Sequence, residues 1–454
     1  MAVVAPFKGV LYNVDKVADL ERIVTPPYDV ISESEQEEYY RRDPYNVVRL
    51  TLGKKKIGDT DWDNRYTRAA DLFKRWESED ILIRSQLPSL YLVAIEYQTP
   101  DKAEKRTRWG FIALLRIEEN DSSVILPHEK TFTFHREDRT KLLRACSVQF
   151  SPVFGLYEDE PNAILREFGK VKDSPPLISF RARGGYGYKM WEVANASIVN
   201  NVASQMSSKT IVIADGHHRY ESARNFRNLM RARYGSRGLG CPYEYVMMYL
   251  TNLTDKGMTI LPSHRLFKSY PGFKEPQFLS AVSRWFDILP FPFSNNDHRE
   301  VQRAFLDQLE GYGRHTTAIG FYLSGSRSYY LLNLKSGARD ALGDDLHPSL
   351  KQLDVLALSR LILQRTLSIK REDLDDERII QYESNTGAAL SSVLSGDNQI
   401  VFLVNPTRME QVMEVTGNSL LMPRKSTYFY PKILTGLVLN KINPKEEIQI
   451  PGQG

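Results

Sequence analysis

Two periodicities of apolar and polar positions alternate along this chain from one end to the other. Ala69, Ala70, Phe73 and Trp76 recur at three- and four-residue steps, which predicts a helix from Tyr66 to Glu79. Ser32 followed by Glu35 makes a capping box ahead of a shorter helix that stops before Pro44. Leu90 to Tyr97 and Trp109 to Glu118 have strand length and composition around a charged loop, and Ala163 to Val171 reads as helical. Gly184 to Tyr188 reads as a turn into a strand from Met190 to Val193. Thr210 to Ala214 is a short β-branched run, followed by a helix to about Tyr234 with Ala223, Phe226, Met230 and Tyr234 on one face and Gly235 as its stop. Tyr245 to Leu253 is strand-like. Phe273 to Leu334 reads as helix, strand, helix, strand, punctuated by prolines from Pro290 to Pro292. A helix from Leu353 to Leu367, a strand from Asn398 to Val404 and a helix from Arg408 to Val415 follow.

The interleaving predicts a mixed α/β (α+β) protein. Pro271-Gly272 suggests a boundary between residues 1–270 and 271–454, with a core that the two regions can share. A length of 454 residues agrees with roughly two or three domains. Apolar residues at 42% and charged residues at 26% are those of an ordinary globular chain, which excludes disordered and fibrous classes. Two cysteines, Cys146 and Cys241, cannot make a disulfide scaffold or a cysteine-rich zinc site, and a reducing, cytoplasmic setting is expected. Met1 to Lys8 shows no basic stretch leading into a long apolar run, so no signal peptide is expected. No segment reaches the roughly 18 uninterrupted apolar residues of a membrane helix. A formal charge of +4 gives no ground to expect a nucleic-acid partner.

Polar residues capable of chemistry gather at a few junctions. Asp215-Gly216-His217-His218-Arg219 lies between a buried strand and a helix start. Helix N-termini attract anions, Gly216 permits close backbone approach, and Arg219 can bind phosphate through two parallel bonds. Asp215 can cap the helix, orient a histidine or hold a metal. Pro26-Pro27-Tyr28-Asp29 places a carboxylate rigidly ahead of a helix, as a general base or as a turn-forming Asx residue. Asn46 and Arg49 alternate with apolar residues, and strand geometry would put both on one face. In Pro127-His128-Glu129-Lys130-Thr131, strand geometry would point His128 and Glu129 to opposite faces. His264-Arg265 follows the strand at Tyr245, and the aromatic run Lys425 to Lys432 reads as buried edge. Gly184-Gly185-Tyr186-Gly187 is not a dinucleotide fingerprint, and no Walker phosphate loop is present.

These stretches, with Ser151-Pro152-Val153-Phe154-Gly155-Leu156-Tyr157, Leu261-Pro262-Ser263-His264-Arg265 and Met422 to Lys432, run in order over nearly the whole chain. By them the chain is identified as a member of the domain of unknown function 1015 family. The Gly216-His217-His218-Arg219 segment further resembles the phosphate-binding motif of the ParB and sulfiredoxin superfamily, which includes free-serine kinases that use ADP or ATP. That resemblance implies a ParB/sulfiredoxin-like nucleotide-binding core over residues 1–270, with a C-terminal α+β extension over 271–454. Gly216, His217, His218 and Arg219, with Asp215, would hold the phosphates of ATP or ADP. His217 stands where sulfiredoxin has its nucleophilic cysteine, which argues against sulfinic-acid reduction. No helix-turn-helix of the ParB kind is evident.

The function implied is nucleotide-dependent phosphoryl transfer to a small hydroxyl compound such as free serine. Asp29 would be the base and His218 a second catalytic group, while Asp215 would bear Mg²⁺. Arg49, His128, Glu129, Lys130, His264 and Arg265 would hold the acceptor. The alternatives are a nucleotide-binding regulatory module without transfer and a ParB-type nucleic-acid-associated protein.

Overall fold

The structure, a computed structural model, describes every residue except 18, 101–102, 120–121, 130–132, 237 and 453–454, and the side chains of 133–135 and 375 are also outside the description. The chain divides into two compact units. The first comprises Met1–Pro127, Thr131–Met258 and Pro431–Gly454, and the second His128–Lys130 and Thr259–Tyr430. Where the prolines suggested one cut near Pro271, the chain instead leaves the first unit after Met258 and returns to it at Pro431. The return is held by backbone bonds: the N–H groups of Thr435, Leu439 and Ile442 donate to the carbonyls of Thr25, Val10 and Ser147, each at 2.8 Å.

Among the described residues, the first unit is built on a nine-stranded sheet. Its strands are β1 (Val4–Ala5), β2 (Leu90–Gln98), β3 (Lys105–Arg116), β4 (Ile125–Pro127), β5 (Val153–Tyr157), β6 (Ile178–Ala182), β7 (Tyr186–Val193), β8 (Ile211–Asp215) and β9 (Tyr245–Asn252). The order is β4-β8-β5-β9-β3-β2-β7-β6, with β1 beside β3. The β4–β8 and β5–β9 pairs are parallel and the others antiparallel. Every residue of β9 is buried, as its unbroken apolar run requires of a strand covered on both faces. Helices α1 (Glu33–Arg42), α2 (Arg65–Ser78), α3 (Thr133–Cys146), α4 (Ala196–Met206) and α5 (His217–Tyr234) accompany this sheet. The capping box on α1 forms as expected, with Ser32 accepting from the Glu35 N–H and Glu35 accepting from the Ser32 N–H. Ala69, Ala70, Phe73 and Trp76 are the buried face of α2. Leu92, Phe111, Ile211 and Met248 of the sheet, Val202 and Met206 of α4, and Ala223 and Phe226 of α5 join one core.

Arginines fix α5 where the sheet needs it. Arg227, 1% exposed, donates to the Ile117 carbonyl at 2.8 Å and to Glu119 at 3.0 Å. Arg231 makes a two-pronged pair with Glu244 at 2.6 and 2.7 Å. Gly235 then ends the helix at φ 81°, its N–H returning to the Arg231 carbonyl. Asn46 and Arg49 lie on or beside a short helix, Val48–Thr51, and not on the strand that their alternation suggested. The Asn46 side chain explains this: it accepts from the Val48 N–H at 2.9 Å, a local bond that starts a helical turn.

The second unit has, among the described residues, a six-stranded antiparallel sheet. It contains β10 (His264–Phe267), β11 (Phe286–Pro292), β12 (Ala318–Leu323), β13 (Ser328–Leu334), β14 (Gln381–Glu383) and β15 (Ile400–Val404), in the order β11-β13-β12-β15-β10-β14. Pro290 and Pro292, read from sequence as punctuation, lie inside β11, which is tolerated because β11 is an edge strand. Helices α6 (Glu275–Val282), α7 (His298–Gly313) and α8 (Thr386–Leu394) belong to this unit. Phe305, Leu309, Leu390, Val393, Tyr329, Leu331 and Leu403 are part of its core. The helix expected from Leu353 to Leu367 forms, as a short α-helix, Asp354–Ala357, that continues as a π-helix, Leu358–Thr366. Among the described residues no helix is long and apolar enough to cross a membrane.

Gly110, on β3, is required by the sheet. A Cβ there would lie 2.6 Å from the Leu250 carbonyl oxygen and 2.5 Å from the Tyr249 ring on β9, inside van der Waals contact with backbone that cannot withdraw. Gly110→Ala is expected to lower stability by about 1–3 kcal/mol, the usual cost of overpacking. Urea unfolding reads this directly, and an unchanged midpoint would show that β3 and β9 can part at that point.

Candidate functional site

The strand–turn–helix at β8 and α5 forms the best-defined polar site of the first unit. The β8 register slips between Ile213 and Asp215 against β5, a bulge of the kind that re-aims a strand's last side chain. Gly216 follows at φ 87°, and α5 begins at His217. A Cβ on Gly216 would fall 2.8 Å from Nε and Cζ of Arg219, so the guanidinium lies directly against this glycine. Asp215 is the hub. Its Oδ2 accepts from Arg219 Nη2 at 2.6 Å, and its Oδ1 is paired with Lys432 Nζ. Burial opposes ionisation of this carboxyl, but Lys432 and Arg219, with His217 adding to them, hold it well below the usual carboxylate range. Arg219 also donates through Nη1 to Ser151 Oγ at 2.7 Å and to the Pro152 carbonyl. Lys432 is placed by its own segment: Arg108, 0% exposed, donates to the Pro431 carbonyl at 2.7 Å, and Tyr188 Oη to the Lys432 carbonyl at 3.4 Å.

Tyr28, in the Pro26–Asp29 segment, reaches the same place. Tyr28 and Arg219 both line a small cavity of ≈ 60 Å³, together with Arg139, Ser151, Ser222 and Thr435. The Arg139 guanidinium lies 3.9 Å from the Tyr28 ring centroid and is bonded to Asp138 at 2.7 Å, which also accepts from Tyr66 Oη at 2.6 Å. Burial raises the Tyr28 phenol well above its ordinary range, with Arg139 and Arg219 working against it and Asp29 with it. Thr435, 1% exposed, has a buried Oγ1 with no hydrogen-bond partner among the described residues. The cavity admits a small polar group and is too small for a nucleoside. Asp29 is exposed on a 3₁₀ turn, Tyr28–Val30.

The remaining candidate residues are engaged by the fold. Arg49 donates to the Tyr40 carbonyl at 2.5 Å and lies over the Tyr40 ring, so it closes the C-terminal end of α1. In the second unit, Glu129 accepts from the backbone N–H groups of Lys425, Ser426 and Thr427 at 3.2, 3.0 and 3.2 Å. Lys425 has φ 54°, and such a left-handed residue opens a run of N–H groups into an anion-holding nest. The nest is filled by the protein's own carboxylate. His128, 1% exposed, lies within 2.8 Å of Thr427 Oγ1 and 3.5 Å of Glu129 Oε1. The two side chains therefore converge, against the strand-based expectation of opposite faces, because Glu129 makes only an isolated bridge to Met422. Lys130 lies outside the described residues. His264, 1% exposed, lies on β10 with Nε2 3.1 Å from Thr386 Oγ1 and Nδ1 accepting from the Val404 N–H at 3.2 Å. Arg265 donates to the carbonyls of Ser263 and Lys425.

Asp215 fits poorly as a magnesium ligand. Both of its oxygens face cations, and among the described residues no group of three or more His, Cys, Asp or Glu side chains is placed to hold a metal ion. Lys432, Ser151 and Thr435 are site residues that sequence reasoning passed over. Lys432 was visible only as the end of an aromatic run, 217 positions from Asp215.

Fold and site together define a mixed α/β protein with a cation-rich corner at a helix N-terminus. The family model for proteins of unknown function, DUF1015, matches residues 4–356, and the chain belongs to that family. No curated protein matches the chain. Among solved structures it is similar to a conserved hypothetical protein from Pyrococcus furiosus, at 12% identity and a TM-score of 0.33, covering 68% of this chain and 89% of that one. It is also similar to a free serine kinase variant in complex with ADP, at 11% identity and a TM-score of 0.35, covering 72% and 89%. A third is C-terminally truncated SbnI from Staphylococcus aureus, at 11% identity and a TM-score of 0.33, covering 71% and 85%. Likeness at this level carries no inference about activity.

His264 provides a pH test of its structural role. Burial, reinforced by Arg265, pulls its imidazole down to about 3. The unfolded chain, with a histidine pKa near 6.5, then binds more protons than the folded one over the interval between, so stability rises with pH there. As pH falls from about 6 to 4, this residue should remove up to ~1.4 kcal/mol per pH unit. Urea unfolding at stepped pH should show that slope reduced in His264→Gln. Equal slopes in parent and variant would place the acid sensitivity elsewhere.

Proposed function

We propose that the Asp215–His217 corner holds the phosphate end of ATP or ADP, and that the protein transfers a phosphoryl group to a small hydroxyl compound of the serine type. The observation that carries this reading is the charge arrangement: one largely buried carboxylate, its side chain 12% exposed, holding two cations, Lys432 and Arg219, at the positive end of an 18-residue helix. A helix N-terminus so equipped favours an anion. The orphaned Thr435 hydroxyl supports a ligand oxygen in the adjoining cavity. Since that cavity is too small for a nucleoside, the base and sugar lie outside it, and only a phosphate or the acceptor's polar end enters.

In the reaction, the acceptor oxygen attacks the terminal phosphorus as its bond to the departing nucleotide oxygen breaks. The acceptor proton passes to Asp29, and Lys432, Arg219, His217 and His218 face the charge on the phosphates. Catalysis of this kind is mainly positioning and charge neutralisation. A binding module without transfer is a second reading, favoured by the exposure of Asp29.

Phosphorus NMR with nucleotide, Mg²⁺ and free serine separates the two. Phosphoserine should form with the parent protein. Asp29→Asn should lower turnover by about 100-fold or more, as loss of a general base does, with nucleotide affinity retained. Lys432→Met should weaken nucleotide binding by about tenfold, the scale of one charge-assisted bond. Nucleotide binding without product for any hydroxyl acceptor would establish the binding module. Nucleotide resonances untouched by the parent protein would remove both readings.

A further inference from the structure

A second cavity, wholly within the second unit, has a different chemistry. It measures ≈ 270 Å³, and Arg265, Arg360, Arg371 and Arg424 line it. The rest of its wall is largely apolar, with Leu346, Leu350, Leu363, Ile380 and Leu421 among the lining residues, and no Asp or Glu lines it among the described residues. Arg265 is 3% exposed and lies 4.9 Å from the centroid of Tyr382, which also lines the cavity. Arg371 is exposed and marks the side open to solvent. Arg360 is paired with Asp345 at 2.8 Å, and Asp345 stands outside the lining. Arg360 and Arg371 bring positive charge to a largely apolar space, and an anion entering it gains charge-assisted bonds there.

The backbone gives an independent indication. Ser359, Arg360, Leu363 and Gln364 of the lining all stand on the π-helix Leu358–Thr366. Such helices are rare, and they recur at functional sites because the wider turn offers a face that an α-helix does not. Here it brings Ser359 and Gln364, five residues apart, to one cavity. The volume lies near the lower end of small-molecule pockets, whose walls are commonly apolar with a few placed polar groups.

We infer that this cavity binds a small organic anion, a carboxylate or phosphate headgroup on an apolar body, with Arg360 and Arg371 meeting the charge and the leucines enclosing the body. The site is independent of the phosphoryl-transfer reading, since every lining residue belongs to the second unit. Isothermal titration of the full chain with octanoate, octyl phosphate, octanol and inorganic phosphate tests it. At least one of the two amphiphilic anions should bind at one per chain, and the stronger of them shows which headgroup the arginines prefer. Octanol and inorganic phosphate should bind at least about tenfold more weakly, as expected when charge-assisted bonds or apolar enclosure are lost. Arg360→Gln and Arg371→Gln should each weaken the anion by about tenfold while circular dichroism and the urea midpoint stay unchanged. The proposal is overturned if neither anion binds, if octanol binds as well as they do, or if both variants bind the anion as the parent does.

Discussion

The first unit depends on one largely buried carboxylate. Asp215 ends a core strand, and a lone ionised carboxylate there would be strongly destabilising. Lys432 and Arg219 make it tolerable, and each is placed by further contacts: Arg219 by Ser151 and Pro152, Lys432 by Arg108 and Tyr188 acting on its segment. Removing either cation leaves the carboxylate with one cationic partner instead of two in a poorly solvated place, so the corner behaves as a unit. The same arrangement concentrates positive charge where the helix dipole is already positive. The stability of the corner and its capacity for anions therefore have one origin.

Much of the architecture was legible because local patterns and tertiary structure agree. The capping box at Ser32, the buried stripe on α2 and the strand–glycine–helix passage at Asp215 all follow from short-range rules. The errors occurred where a longer-range or backbone-level effect prevailed. Arg49 alternates like a strand residue, yet the Asn46 side chain starts a helical turn. Pro290 and Pro292 break most strands, but β11 is an edge strand and tolerates them.

The candidate site was legible only in part, for a related reason. Residue types within one short stretch, Asp215 to Arg219, announce themselves. Lys432 and Thr435 do not, since nothing near them in sequence requires a charge or a hydroxyl. Glu129 shows the converse. Beside His128 and Lys130 it has the look of ligand-binding chemistry, but its carboxylate fills a nest of three backbone N–H groups in its own unit. A polar residue in a dense motif can serve the backbone as readily as a substrate.

The return of the chain at Pro431 has a consequence for synthesis. During translation Asp215 emerges 217 residues before the ammonium that neutralises it. Until then the Asp215 carboxylate has only Arg219 of its two cationic partners, and the backbone bonds to Thr25 and Val10 are missing. The return of the chain at Pro431 therefore closes a contact across 217 positions. A chain interrupted within the second unit has most of the strands of the first unit's sheet but lacks Lys432, one of the two cationic partners of Asp215.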